Sequence, residues 1–154
     1  MPTLHLICGL PGSGETTLAR RLEREGPALR LSPDEWIEPL FGSGIRHDLP
    51  RLDACRTPVE SVQWEVATRA LALGVDVVLE WGFWSRTERD DYRSRGEALG
   101  ARVELHFLDV PRDELWAWLA KRNAALTPGT FHIEERQLDL WLSGFEPPAP
   151  DELT

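Results

Sequence analysis

Lysine is nearly missing from this chain: Lys121 is the only one among 17 basic residues, and the others are arginine. Chemistry that calls for a compact ammonium must use Lys121 or do without. Cysteine is scarce as well. Cys8 and Cys55 are too few for a disulfide scaffold and carry no metal-ligand spacing, which makes a reducing cytoplasm the default expectation. No apolar run approaches the roughly 20 residues of a membrane span, and the first strand-like stretch lacks the basic n-region of a signal peptide. Positive charge is in deficit: 26 acidic against 17 basic side chains leave a net charge of −9. Such a surface repels phosphate backbones, which argues against a dedicated nucleic-acid binder. The rest is ordinary for a globular protein, with 42% apolar and 28% charged residues. A length of 154 residues suits one domain over 1–154. The one excess is tryptophan, with seven.

Hydrophobic pattern and turn residues divide the chain into alternating strands and helices. Thr3 to Cys8 reads as a buried strand closed by a glycine-rich turn. A helix follows from about Glu15 to Arg24 until Gly26-Pro27. Ala28 to Leu31 is a short second strand, and Ser32-Pro33 opens a short helix. The segment from Phe41 to Arg56 reads as irregular and too long for a plain connection. Thr57-Pro58-Val59-Glu60 has the form of a capping box, predicting a helix to about Leu73. Val75 to Leu79 is the most strand-like run. Ser85 to Glu88 is a second capping box, opening a charged helix to about Leu99. Arg102 to Leu108 alternates as a fourth strand. Pro111 starts a helix in which Trp116 and Trp118 are expected in the core, and a last helix, carrying a core Trp141, runs from about Ile133 to Leu142. This alternation predicts a three-layer α/β domain with a parallel sheet of four or five strands. Its ligand site belongs at the carboxyl ends of the strands, where Gly9–Gly14, Ser32–Asp34, Glu80–Trp84 and Asp109 would meet.

Gly9-Leu10-Pro11-Gly12-Ser13-Gly14-Glu15-Thr16-Thr17 follows a strand and opens a helix. It fits the P-loop pattern, glycine, four residues, glycine, lysine, then serine or threonine, except that Glu15 stands at the lysine position. Glycines let backbone N–H groups curl around phosphates, and the helix N-terminus adds favourable partial charge. On this loop, together with Leu31–Trp36, Glu80–Arg86, His106–Pro111 and Phe145–Pro148, nearly the whole chain resembles P-loop kinases of the small phosphotransferase type. That group includes gluconate kinases, chloramphenicol phosphotransferase, polynucleotide kinases and zeta toxins. More closely still, the chain is similar to short bacterial proteins described as AAA-family ATPases or predicted kinases.

The resemblance implies a sheet order of 2-3-1-4, a small helical lid at about 123–132, and ATP with Mg²⁺. Gly9, Gly12, Ser13, Gly14, Glu15, Thr16 and Thr17 would surround the phosphates, with Thr16 and Glu80 holding the metal. Asp34 would take the proton from an acceptor hydroxyl, and Arg122, with Arg136 as second choice, would contact phosphate oxygens. Read without the resemblance, Asp34 equally suits a helix N-terminus and Glu80 a solvated strand end. Trp81, Phe83 and Trp84 are three aromatics in four residues at a strand's carboxyl end, the expected wall of a pocket for a small-molecule acceptor. Arg46, His47, Asp48 and Arg51 could close over it. His5 and His106 fall in strands and read as structural.

Glu15 divides the functional reading. Two unit charges about 4 Å apart interact by roughly 4 kcal/mol at an effective dielectric near 20, and here the sign is reversed. The residue is an introduced change, the mark of a naturally non-catalytic relative, or a loss offset by an arginine from elsewhere. The leading expectation is an ATP-dependent phosphotransferase acting on a small-molecule hydroxyl, weakened or silenced by Glu15. The alternatives are a nucleotide-binding or regulatory protein without transfer and a nucleic-acid end kinase.

Overall fold

In a computed structural model, which describes residues 1–42, 44–45, 48–125 and 132–153, the strand β1 (Thr3–Cys8) is buried on both faces. Leu4, Leu6 and Cys8 point one way and Ile7 the other, the pattern of a central strand in a parallel sheet. Its neighbours are β3 (Asp76–Gly82) and β4 (Arg102–Phe107), and β2 (Ala28–Leu31) pairs on the far side of β3. The sheet is parallel and four-stranded in the order β2-β3-β1-β4, as the resemblance implies.

The described residues form six α-helices around it: α1 (Glu15–Glu25), α2 (Pro33–Phe41), α3 (Leu49–Ala72), α4 (Arg86–Ala98), α5 (Arg112–Ala124) and α6 (Glu135–Gly144). On one face Ala67 and Leu71 of α3 and Tyr92 of α4 pack on Leu4, Leu6, Leu79 and Trp81. On the other, Leu18, Ala19 and Leu22 of α1 meet Ile7 and Val78. A separate cluster joins Leu115 and Leu119 of α5 to Leu138 of α6, Ile133 and Leu10 of the glycine-rich loop. None of the described helices is long and apolar enough to cross a membrane.

Three expectations about elements need correction. The helix expected at Thr57 begins at Leu49, so much of the segment read as irregular is helical. Asp48 caps it, its carboxylate accepting from the Arg51 N–H at 3.2 Å. Pro58 therefore lies inside the helix, where a proline costs roughly 3 kcal/mol. Packing prevails there: Cys55 and Val59, on either side of the proline, are buried against Ile37 and Ile45. Next, β3 continues to Gly82, which brings Trp81 into the sheet. Finally, Trp118 is 42% exposed and does not belong to the core, because α5 turns Leu115 and Leu119 inward instead. Trp116 and Trp141 are half-buried against the α5–α6 cluster. Ser85 does cap α4, accepting from the Glu88 N–H at 3.2 Å.

The tail closes the fold electrostatically. A 3₁₀ turn at Pro150–Glu152 carries Glu152 against Arg89 of α4. Both are buried, with Nε to Oε1 at 2.7 Å, and Arg89 also donates to the Phe83 carbonyl at 2.9 Å. Breaking a buried pair leaves an uncompensated charge, which costs about 3–5 kcal/mol. Glu152→Ala should lose about that much stability in urea unfolding. The double variant Arg89→Met, Glu152→Leu should lose less than Glu152→Ala alone.

Candidate functional site

The loop between β1 and α1 is shaped by two glycines in the left-handed region, Gly12 at φ 88° and Gly14 at φ 95°. At Gly12 a Cβ would also press on Leu119 at 3.1 Å, so both backbone angle and packing demand glycine. The Gly9 N–H donates to the Gly82 carbonyl at 3.0 Å, and the Leu18 N–H to the Gly14 carbonyl at 3.1 Å. Ser13 is buried, and among the described residues its hydroxyl has no hydrogen-bond partner. An orphaned polar atom in a fold that satisfies most of its buried groups calls for an explanation such as a ligand or water.

Beside the loop, the Thr16 hydroxyl donates to Glu80. The other oxygen of Glu80 accepts from Arg30 at 3.0 Å. Arg30 is itself held by Glu23 at 3.2 Å and Glu35 at 2.8 Å. Two hard oxygen groups thus sit side by side, as Mg²⁺ requires. Glu15 lies at the mouth of the loop. Burial raises its carboxyl to about 8, the nearby Glu80 carboxylate pushes the same way and Arg56 opposes. At neutral pH Glu15 is mostly protonated, so the full charge reversal expected from the sequence does not exist in the free protein.

Across an open cleft of about 1280 Å³ stands Asp34, in the first turn of α2. Arg56 of α3 reaches its carboxylate at 3.5 Å, Glu60 at 3.7 Å and the Trp81 carbonyl at 3.2 Å. Burial pushes Glu60 up to about 7, partly offset by Arg56. Arg122, in the last turn of α5, borders the same cleft beside Trp118. Arg136 does not: it is exposed and paired with Glu134. At the base of the expected lid the Asn123 amide donates to the Ile133 carbonyl at 2.7 Å and accepts its N–H at 2.9 Å. Residues 126–131 of that lid, and Arg46 and His47 of the other closing segment, lie outside the described residues.

The aromatic run is placed differently from expectation. Trp81 and Phe83 are buried, stacked at 5.7 Å and both edge-on to Tyr92. The Trp81 indole N–H donates to Gln63 at 3.0 Å, and the residue borders the cleft while almost wholly buried. Phe83 is absent from the cleft wall. It sits at φ 46°, rare for a bulky residue, where its carbonyl accepts from Arg89 and from the Cys8 thiol. Burial raises that thiol to about 12. Trp84 alone of the three stays half-exposed on the wall, its indole donating to the Gly9 carbonyl at 3.2 Å.

Sequence reasoning missed Arg30, Arg56 and Glu60. The last two stand four apart on one face of α3, a spacing visible in the sequence but hidden by reading Pro58 as a helix start.

Comparison with known proteins agrees with this fold. A family model described as "AAA domain" matches residues 4–148. The chain belongs to that family. No curated protein matches it. Among solved structures it is similar to a chain of the Pnkp1/Rnl/Hen1 RNA repair complex (TM-score 0.73, 19% identity, 93% of this chain and 43% of that one). It thus spans less than half the length of that relative. It is also similar to a sugar kinase from a Janibacter species (TM-score 0.69, 22% identity, 99% and 83% covered) and to a gluconokinase from Sinorhizobium meliloti (TM-score 0.67, 18% identity, 97% and 78% covered). At these identities the likeness establishes a P-loop kinase-like fold.

The raised Glu15 carboxyl has a consequence for stability. Its folded form keeps a proton that the unfolded chain releases above pH 4.5, so stability falls as pH rises from 4.5 to 8 and levels off beyond. Glu60 acts in the same direction up to about 7. Glu15→Gln removes the first contribution only. Its Tm gain over the parent protein should be small at pH 5 and largest at pH 8 and above, read by thermal unfolding across that range.

Proposed function

We propose that the protein binds a nucleoside triphosphate in the loop Gly9–Thr17 and transfers its terminal phosphoryl group to a hydroxyl of a small molecule, at a rate held down by Glu15. The observation that carries this reading is the convergence on one cleft of the glycine-rich loop, the Thr16–Glu80 pair and, opposite them, Asp34 steadied by Arg56. The sugar kinase and gluconokinase among the similar structures favour a small polyhydroxy acceptor.

The donor set suits Mg²⁺, which when bound neutralises charge on the phosphates; Thr16 and Glu80 would hold it. The loop's N–H groups and Ser13 hold phosphate oxygens. Asp34 accepts the proton of the acceptor hydroxyl as its oxygen forms a bond to the terminal phosphorus, while the bond to the bridging oxygen breaks and a nucleoside diphosphate leaves. Arg122 faces the phosphates from α5. Trp84 flanks the acceptor. Glu15, neutral at pH 7, neither attracts the triphosphate as an ammonium would nor repels it as a carboxylate would.

A second reading, nucleotide binding without transfer, draws on Glu15 itself. A nucleic-acid end kinase, suggested by the RNA repair relative, fits poorly with the net charge of −9 and the carboxylates that crowd the cleft.

Three variants test the proposal. Glu15→Lys should tighten Mg-ATP binding at least tenfold, about 1.4 kcal/mol, and raise phosphate release or transfer. In the parent protein affinity should drop as pH passes 8 and Glu15 ionises, whereas Glu15→Gln should show no such drop. Asp34→Asn should abolish transfer to an acceptor and leave ATP affinity nearly unchanged. Calorimetry and a turnover assay over a panel of sugars and sugar acids read all three. ATP binding by Glu15→Lys without transfer to any acceptor would favour the second reading.

A further inference from the structure

A second cluster of functional side chains lies outside the nucleotide cleft, on the face of the sheet that carries α1. His5 of β1 pairs in register with Glu104 of β4, and Ile7 with His106. Because alternate residues of a strand share a face, His5, Glu104 and His106 project together. α1 packs over β1, β2 and β3, which leaves these three half-buried. Among the described residues they are the one group of three His, Cys, Asp or Glu side chains whose ligand atoms come within reach of a single ion.

The separations of those atoms are informative. His5 Nδ1 lies 2.9 Å from His106 Nε2, Glu104 Oε2 lies 3.6 Å from His5 Nδ1, and the same oxygen lies 3.8 Å from His106 Nε2. In a tetrahedral site with bonds of about 2.0–2.1 Å, ligand atoms are separated by roughly 3.3–3.4 Å. The three observed edges bracket that length, so shifts of a few tenths of an ångström would seat an ion. The other oxygen of Glu104 is held by Arg102 at 3.0 Å, an outer contact of the kind that orients metal ligands. Burial lowers both imidazoles against the opposing Glu104 carboxylate.

We propose that His5, Glu104 and His106 bind one Zn²⁺-class divalent ion, with a water from the open side as fourth ligand. Two imidazoles and one carboxylate are a donor set for Zn²⁺ and its neighbours, whereas Mg²⁺ prefers oxygen alone. In the free protein the 2.9 Å contact between the rings is an N–H···N hydrogen bond. When the ion enters, the donor ring moves that proton to its outer nitrogen, so two lone pairs face the metal and no net proton is released. The ion would tie β4 to β1, the strand that leads into the glycine-rich loop.

Co²⁺ titration of the full chain tests this, because tetrahedral Co²⁺ absorbs strongly in the visible range and octahedral Co²⁺ weakly. One equivalent should produce the tetrahedral spectrum, and Zn²⁺ should displace it. His5→Ala and His106→Gln should each weaken binding at least tenfold, Glu104→Gln should weaken it less, and Thr16→Ala in the loop should leave the tetrahedral Co²⁺ spectrum unchanged. Zn²⁺ should also raise the Tm of the parent protein and not that of the histidine variants. Circular dichroism establishes that each variant is folded, and Glu104→Gln, at a more exposed position, keeps the test open if a histidine variant is not. A purely octahedral spectrum, binding that survives both histidine substitutions, or binding lost in Thr16→Ala would overturn the proposal and leave the two rings as a hydrogen-bonded pair.

Discussion

Everything at the cleft hangs on how the ends of β1 and β3 meet. Leu6 pairs with Leu79, but Cys8 pairs with Gly82, so three steps of β3 oppose two of β1. Such a bulge bends the strand and re-aims side chains, and bulges gather next to active sites. Here Glu80 turns to the Thr16 hydroxyl on one face, while Trp81 stays in the core on the other. Just beyond the bulge the Gly9 peptide is gripped twice, its N–H by the Gly82 carbonyl and its carbonyl by the Trp84 indole. The glycine-rich loop therefore starts from a fixed point, and its geometry does not depend on a ligand to define where it begins.

That clamp explains why so much of the aromatic run serves the scaffold. Phe83 is held at a positive φ because its carbonyl collects two donors, the Arg89 guanidinium and the Cys8 thiol. Arg89 in turn is anchored by Glu152, whose 3₁₀ turn follows the proline-rich tail. The route from tail to loop is a chain of packed and hydrogen-bonded groups: Glu152, Arg89, Phe83, Cys8, Gly9. The stretch that resembles a family signature, Glu80 to Arg86, is in this protein chiefly the device that holds the strand ends together.

The sheet was legible because its strands are short, apolar and separated by helices with clear stops, and strand order followed from the resemblance. The rim of the cleft was legible for a related reason: in a parallel sheet the carboxyl ends converge, so the sequence alone places Asp34 and Glu80 near the loop. What the sequence hid was direction. Periodicity does not show which way an aromatic residue at a strand's end turns, so Trp81 and Phe83 read as a pocket wall when the core claims them. Trp118 was misjudged the opposite way, since its size suggested burial while Leu115 and Leu119 already fill the inner stripe of α5. Arg56 and Glu60 were lost behind Pro58, a local signal that tertiary packing overrides.

The scarcity of lysine and the nature of position 15 belong to one electrostatic problem. A polyanion entering this cleft meets Glu15, Glu60 and Glu80 at close quarters, and most of the arginines near them are already engaged. Arg30 is shared by three carboxylates, and Arg56 by Asp34, Glu60 and a carbonyl. Moving either toward a phosphate would strand a half-buried carboxylate, at a cost comparable to what the phosphate contact contributes. Arg20 and Arg21 lie at 4.0 and 3.8 Å from glutamates in exposed, loose pairs. Arg122 has no ion pair among the described residues, and it stands at the end of α5 where the helix dipole favours a cation. On the proposed reading, the deficit of positive charge relative to a lysine at position 15 is therefore reduced, in part, by protonating Glu15 and by Arg122 on the cleft wall. Neither device places a fixed ammonium between the β- and γ-phosphates, which is why the reading assigns this fold a weaker hold on its nucleotide than its glycines and Thr16 would otherwise give.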